Sequence, residues 1–450
     1  MTKLIHALEA IVGQKNILQD AQAKNYARID QSTNVSACLP QIIVLVNSRD
    51  ELIRVTQACI NFRAPLVIRG AGTGKSGGAV AQEHWVLIDI SKLNKIIHLD
   101  KENLTADVEP GVILGDLQNR VKEQGLFYPP DPASYETCTL GGNVAENAGG
   151  PSTLKYGCTR EYLLGGQAVI GTGEVINFGK RCPKGVAGYD IASLLCGSEG
   201  TLAVFTQFTL RLLPWPKDQA QSLFLFESEE EALLSVTKIF SDGHRPRILE
   251  YIDNICLRAL QKQKLINIKN VASKAALLIE CDASFVGGAR LQLDEIKNIL
   301  NNNSCDIIND DFKYIRSQLS SACSKYLGLK LSEDIAIPLA QLNNFRRWFK
   351  AQSSSALQCA LFGHVGDGNL HVQILFEKEE YKDLAQDLRH QVLLRILNLG
   401  GTLTAEHGIG LQKVAYLSLE QSSELINLQK RIKEAFDPYN LLNPGKIFAI

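Results

Sequence analysis

The apolar positions change period along the chain. Between Glu51 and Phe62 they recur at helical spacing. Leu66–Arg69 and Trp85–Ile90 are short apolar runs, and Val112–Glu123 returns to helical spacing before Gly125. Apolar residues at i, i+3 and i+4 mark one helix face, and short apolar runs between turn residues mark buried strands. This stretch therefore predicts a first domain that mixes helix and sheet. Pro214-Trp-Pro216 interrupts the pattern, because proline suits neither a ladder nor a helix interior, and predicts a domain boundary after residue 216. Beyond it a β-α-β rhythm begins, with strands at Ser222–Phe226 and Ile248–Ile252 around a helix at Glu229–Phe240. A strand at Ala275–Glu280 and helices at Arg290–Asn301 and Glu380–Leu399 follow. The expectation is a second domain over 217–405, an antiparallel sheet with helices on one face. The turn-rich run Asp437-Pro-Tyr-Asn-Leu-Leu-Asn-Pro-Gly-Lys446 predicts a tail over 406–450 that docks back on the first domain.

One part of this pattern carries chemistry. Ala356–Phe362 is largely apolar, Leu370–Phe376 alternates, and Asp367-Gly368 between them is a two-residue turn signal, so a β-hairpin is expected. With Asp367 and Gly368 in the turn, His364 faces His371. Opposed residues on an antiparallel pair share a face with Cβ atoms roughly 5 Å apart, a natural geometry for two imidazoles on one metal ion. Thr404-Ala-Glu-His-Gly-Ile-Gly410 then offers Glu406 as a further ligand and His407 as a base. The bland alternative is ordinary packing, which explains a single strand histidine as well as chemistry does. Two histidines and a Glu-His pair set among glycines favour chemistry, since glycine lets backbone approach a ligand and costs stability otherwise.

The loop Arg69-Gly-Ala-Gly-Thr-Gly-Lys-Ser-Gly-Gly78 fits neither familiar phosphate-binding pattern. A Walker loop requires glycine where Arg69 stands. A dinucleotide fingerprint requires a helix after the glycines, whereas here a strand follows at Trp85. A strand running into a nest of backbone N–H groups remains, and such a nest can cradle a pyrophosphate. Glycines also crowd the stretch from Ser134 to Gly200, as expected for backbone wrapped around a bound molecule.

Composition narrows the class. A chain of 450 residues exceeds one simple core and can bury a large cofactor. A formal charge of -1 with 21% charged residues argues against nucleic acid as a partner. No run of eighteen apolar residues exists, and Met1–Gln14 lacks a secretory pattern, so a cytoplasmic protein is expected, with attachment to the inner face of a membrane left open. Eleven cysteines without one Cys-x-x-Cys spacing suit a reducing compartment and leave no iron-sulfur ligand set.

Arg69–Gly78, Pro130-Asp-Pro132, Gly141-Gly-Asn-Val-Ala-Glu-Asn-Ala-Gly-Gly150, Lys155-Tyr-Gly157 and Gly197-Ser-Glu-Gly-Thr-Leu202 together resemble the FAD domain of the vanillyl-alcohol oxidase/p-cresol methylhydroxylase type. The two histidine segments and Asn443-Pro-Gly-Lys446 resemble the C-terminal half of its D-lactate, glycolate and D-2-hydroxyglutarate dehydrogenase branch. The matching segments run in order over roughly residues 38 to 449, which is more specific than any one motif. The resemblance implies an α+β protein, with a bipartite FAD-binding domain over 1–216, a substrate or cap domain with an antiparallel sheet and helices over 217–405, and a C-terminal segment over 406–450 returning to the FAD domain.

It further implies that Arg69, Gly70, Ala71, Gly72, Thr73, Gly74 and Ser76 hold the pyrophosphate. Pro130, Asp131, Gly141, Gly142, Asn147, Gly150 and Gly200 would line the cofactor channel, and Asn443 and Lys446 would close it. His364, His371 and Glu406 would bind a divalent metal, zinc or manganese, with His407 as the base. Arg316 would grip the substrate carboxylate, a role that suits a planar guanidinium. Lys75, Tyr314 and Ala203 depart from the usual family residues without removing a catalytic group. No histidine in the loop can tether flavin, so FAD is expected to be non-covalent.

The implied reaction is oxidation of a small D-2-hydroxy acid to the 2-oxo acid, with hydride passing to flavin N5. Electrons would leave to a quinone, an electron-transfer flavoprotein, a cytochrome or an iron-sulfur subunit, or to oxygen; a homodimer is compatible with the sequence. Two alternatives stay open. One is a metallohydrolase using His364, His371 and Glu406, which leaves the glycine-rich half without a task. The other is a non-catalytic flavin subunit of a larger complex.

Overall fold

Several helices start where a side chain can take up orphan N–H groups. Ser48 caps Arg49–Asn61 through Glu51 N, Ser228 caps Glu229–Ser241 through Glu231 N, and Asp253 caps Asn254–Lys262 through Cys256 N. These caps set the register in which apolar helix faces meet the sheets. The computed structural model describes residues 2–449 apart from 33–34, 37, 269, 272–273 and 301–311. The chain forms two units. Unit 1 comprises Met1–Gly149, Gly157–Trp215 and Glu406–Ile450; unit 2 comprises Gly150–Tyr156 and Pro216–Ala405. The short segment Gly150–Tyr156, placed in the first domain by the sequence reading, thus belongs to the second unit.

In unit 1, Ile17–Leu18 (β1), Ile42–Leu45 (β2), Leu66–Arg69 (β3) and Val86–Asp89 (β4) form a sheet of order β1-β2-β4-β3, parallel except for β1. Alternation sorts its residues. Ile42, Val44, Val86 and Ile88 pack under helices Thr2–Val12 and Arg49–Asn61, while Ile43, Val67 and Leu87 pack on the other side with Ala81 and Trp85. A second sheet takes Ile96–Asp100 (β5) and Thr105–Val108 (β6). After Leu126–Phe127 (β7) the chain returns to it with Leu163–Ile170 (β8), Val175–Gly179 (β9) and Ala203–Arg211 (β10), giving the order β5-β6-β10-β8-β9. Leu213–Pro214 (β11) pairs with β7. The C-terminal segment comes back to the first sheet, where Leu66 N donates to Leu441 O (2.9 Å) and Asn443 N to Leu66 O (2.8 Å).

Unit 2 is built on one six-stranded antiparallel sheet. Its strands are Asp218–Phe226 (β12), Ile248–Ile252 (β13), Ala275–Ala283 (β14), Leu329–Ala336 (β15), Gln358–Gly363 (β16) and Asn369–Phe376 (β17), in the order β12-β14-β13-β16-β17-β15. Helices cover both faces, which corrects the expectation of one. Phe224, Leu249, Tyr251, Leu277 and Ile279 face helices Glu229–Ser241, Gly288–Leu300, Leu342–Lys350 and Lys382–Asn398. Leu223, Leu225, Ile252, Ala276 and Leu278 face helices Asn254–Lys262 and Phe312–Leu327. The continuous apolar runs of β12 and β14 are the physical reason, since a strand buried on both sides has no polar face. Asn301, the last residue of the expected helix Arg290–Asn301, lies outside the described residues.

The hairpin exists but in another register. Phe362, not His364, pairs with His371. A 3-10 turn over Val365–Asp367 followed by Gly368 at φ 81° makes the connection four residues long, and Asn369 N closes it on His364 O (3.2 Å). Gly368 is required there, because its backbone is left-handed and a Cβ would collide with the carbonyl oxygen of Ile337. The shift of two residues preserves the alternation, so His364 stays on the face of His371 as a diagonal neighbour.

Leu277 is fully buried in the larger core of unit 2, and Leu234 on helix Glu229–Ser241 is 57% exposed. Leu277→Ala is expected to cost about 2–5 kcal/mol and Leu234→Ala no more than about 0.5 kcal/mol. Equilibrium urea unfolding of the two variants checks the difference.

Candidate functional site

The second face of the unit 2 sheet carries a row of four ionisable side chains, three on β13, β17 and β15 and one just past the end of β16. Asp334 on β15 pairs directly with His371 on β17. Tyr251 pairs with Gly363, so the next position brings Glu250 on β13 opposite His364. In the sheet order the row reads Glu250, His364, His371, Asp334. The two imidazole rings lie 5.2 Å apart, centroid to centroid, edge to face, and Phe362 packs 5.0 Å from His371. Both carboxylates are almost fully buried.

Each carboxylate meets the Nδ1 side of its neighbouring histidine. His364 Nδ1 bonds to Glu250 Oε1, and His371 Nδ1 lies 3.4 Å from Asp334 Oδ1. Asp334 is itself fixed, accepting Asn369 Nδ2 (2.7 Å) and the N–H of Ala405 (3.1 Å). Arg316, on helix Phe312–Leu327, donates from Nε to Glu250 Oε2 at 2.8 Å, and its Nη2 lies 3.0 Å from His364 Nε2. Burial alone would raise the Glu250 pKa. The Arg316 charge, followed by His364, outweighs it and holds the carboxyl well below the usual range. Arg316 therefore joins His364 and Glu250 in one cluster. Sequence reasoning missed Glu250 and Asp334. The available signal was a charged residue within the otherwise apolar strand Ile248-Leu-Glu-Tyr-Ile252, since a buried charge requires a partner.

In unit 1 the glycine-rich loop leaves β3 with Arg69 buried. Its guanidinium turns back on the neighbouring chain, donating to Ile29 O (3.0 Å) and Ala79 O (3.5 Å), and so braces the loop. Thr139 caps helix Leu140–Glu146 by accepting Gly142 N at 3.3 Å, Gly141 packs on Pro110, and Pro130 O accepts Gln118 Nε2 (2.8 Å). Asn147 ends the helix at φ 53° and accepts Arg160 N at 2.9 Å. The Oγ atoms of Ser76 and Ser198 and Oε2 of Glu146 are buried with no hydrogen-bond partner among the described residues. Buried hydroxyls in two glycine-bearing loops are the donors a pyrophosphate or flavin edge needs, so the residues fit FAD. Gly150 opens the Gly150–Tyr156 segment of unit 2. There Arg247 Nε donates to Ser152 Oγ (3.1 Å), and Lys155 and Tyr156 both bond Asp282.

The returning C-terminal segment adds a buried lysine. Lys446 Nζ donates to the carbonyls of Gly77 (2.8 Å), Gly78 (3.1 Å) and Val80 (2.8 Å), and Asn443 Nδ2 donates to Gly78 O and Glu199 O. Glu199 accepts the N–H groups of Ile409 (2.8 Å) and Gly410 (2.7 Å). A Cβ at Gly408 would meet the carboxyl oxygens of both Glu146 and Glu199 at 2.7 Å, so the two converge there. Burial raises the pKa of both acids. Glu199 and Asp30 raise Glu146 further, while Lys446 lowers both and the two N–H groups also lower Glu199. The loop holding Glu406 and His407 is thus tied by carboxylates on either side, through Ala405 N to Asp334 and through Ile409 and Gly410 to Glu199.

The family model for FAD linked oxidases, C-terminal domain, matches residues 215–447, and an FAD binding domain model matches residues 40–179. The chain is 35% identical over 423 residues to the glycolate oxidase subunit GlcD of Bacillus subtilis (strain 168), covering 91% of this chain and 89% of that protein. It is 31% identical over 465 residues to a D-lactate dehydrogenase of Anaerostipes hadrus, covering 99% and 97%. Among solved structures, p-cresol methylhydroxylase with substrate bound superposes with a TM-score of 0.78 at 16% identity, over 100% of this chain and 97% of that one, a likeness of fold. No helix among the described residues is long and apolar enough to cross a membrane.

Burial brings Lys446 down to about 8, opposed by Glu199, Asp30 and Glu146. An unfolded lysine titrates near 10.4, so between these values the unfolded chain binds more protons and this residue's contribution to stability rises with pH. Wild type is expected to gain thermal stability relative to Lys446→Met as pH goes from 8 to 10. Parallel melting curves for the two proteins across that window would refute the assignment.

Proposed function

The chain belongs to the FAD-linked oxidase family and is an oxidoreductase, and from that premise we propose that it oxidises a small D-2-hydroxy acid, such as D-lactate or glycolate, to the 2-oxo acid. The observation that carries this reading is the Glu250, His364, His371, Asp334 row with Arg316 beside it. Two imidazoles, two carboxylates and a guanidinium gathered on an otherwise apolar sheet face pair with one another and suit a polar ligand, since such clusters concentrate at functional sites.

Each residue has a task in this proposal. Arg316 takes the substrate carboxylate with parallel N–H donors, and keeps its place through Nε on Glu250. His364 and His371, with Glu406, hold a divalent cation of the zinc or manganese type. Such a cation supplies Lewis acidity toward the substrate hydroxyl. His407 accepts the hydroxyl proton, oriented by a loop whose amides are held on both sides. FAD bound non-covalently in unit 1 supplies the hydride acceptor. Its pyrophosphate rests on the loop from Gly70 to Gly74 with Ser76, braced by Arg69. Gly141, Gly142, Asn147 and Gly200 line its path with Pro130 and Asp131. Asn443 and Lys446 hold the loop from the other side. Electrons leave to a separate acceptor, either a quinone, an electron-transfer flavoprotein, a cytochrome or an iron-sulfur subunit.

Absorbance spectra before and after anaerobic addition of D-lactate, glycolate and D-2-hydroxyglutarate test the reading. Bleaching of a flavin band by one acid is expected; a flavin band that none of them bleaches would remove this substrate class. His407→Ala is expected to keep the flavin spectrum and lose about 10²- to 10⁴-fold in kcat. Undiminished turnover in that variant would dismiss His407 as the base.

A further inference from the structure

We propose that Glu250 and Asp334 are the positioning residues of the two histidines, each fixing one imidazole with its proton on Nδ1 so that each Nε2 keeps the lone pair that a cation needs. The inference rests on the metal reading above and adds residues to it. Strand register is the first support. Asp334 pairs directly with His371, and Glu250 stands opposite His364, so each carboxylate faces its own ring across one ladder step. Proton position is the second. Arg316 Nη2 lies 3.0 Å from His364 Nε2 and 3.1 Å from Nδ1 and does not choose between them, but a carboxylate only accepts, so the ring proton belongs on the Nδ1 that meets Glu250. Rigidity is the third. Both carboxylates are about 1% exposed, and their other oxygen sites are occupied by Arg316, Asn369 Nδ2 and Ala405 N. A carboxylate on the far ring nitrogen fixes orientation and raises the basicity of the near one, and removing such a partner typically costs about 10–100-fold in metal affinity.

Arg316 is part of the same arrangement. Glu250 uses one oxygen for His364 and the other for Arg316 Nε, so one side chain sets both a cation ligand and the group assigned to the substrate carboxylate. Asp334 meets the other histidine, His371, from the opposite side of the row, with Asn369 Nδ2 and Ala405 N on its oxygens.

The test is Mn²⁺ and Zn²⁺ binding by calorimetry on the full-length flavoprotein stripped with chelator, comparing wild type, Glu250→Gln, Asp334→Asn and His364→Ala, with flavin content read from absorbance. The expected result is one site in wild type, about 10–100-fold weaker in Glu250→Gln and in Asp334→Asn at unchanged flavin content, and lost in His364→Ala. Asp334→Glu should recover part of the affinity that Asp334→Asn loses. Wild-type affinity in both amide variants, with binding lost in His364→Ala, would overturn the positioning role and leave the metal reading standing. No binding in wild type would overturn both. If Glu250→Gln does not retain its flavin, the Asp334 variants decide alone.

Discussion

A carboxylate shut away from water must be met by positive charge or by hydrogen-bond donors, and Glu250 is met by both. It sits on an interior strand of the six-stranded sheet, where every neighbour on its strand is apolar, and its two oxygens take Arg316 and His364. Much of unit 2 can be understood from that demand. Helix Phe312–Leu327 has to lie on this face to deliver Arg316, and its Ile315 and Leu319 pack into the same core that holds Ile252 and Leu278. His364 follows directly on β16, and the turn closes when Asn369 N donates to its carbonyl oxygen. Breaking such a buried pair from one side leaves an uncompensated charge, which is more costly than the pair is stabilising.

Unit 1 solves a related problem by a different route. Lys446, Glu146 and Glu199 are all driven toward their neutral forms by burial, and the lysine spends its N–H groups on carbonyls of the glycine-rich loop more than on the acids. The loop's carbonyls therefore point inward to a cation. That orientation frees its amides for an anion, as a nest of N–H groups requires. The C-terminal segment is part of this cofactor-binding unit in an energetic sense as well as in topology.

Much of the fold was legible in the sequence. Strands at Leu66–Arg69 and Ile248–Ile252 were readable to the residue, because both are short apolar runs ended by turn residues. The second set of helices in unit 2 was not read, although the two-faced apolar runs of β12 and β14 encode it. The hairpin register failed because Asp-Gly is a strong two-residue turn signal locally, whereas Gly363 and Gly368 let a 3-10 turn form instead. The two histidines still met, since a slip of two keeps the face. Glu250 and Asp334 escaped notice because their partners lie 114 and 37 residues away in the chain, a proximity that only strand pairing creates. Arg69 was expected at the cofactor loop, and its guanidinium bonds to the Ile29 and Ala79 carbonyls, contacts that spacing cannot carry.

Unit 1 is assembled from three pieces of chain, and the last of them begins at Glu406. During synthesis all six strands of the other sheet leave the ribosome before that piece does, so the later-numbered unit has its full sequence first. Until Leu441 and Asn443 reach β3, the edge of the first sheet lacks those partners and the glycine-rich loop lacks Lys446. A chain stopped short of Leu441 would therefore carry the whole sheet of unit 2 while its glycine-rich loop still lacks Lys446.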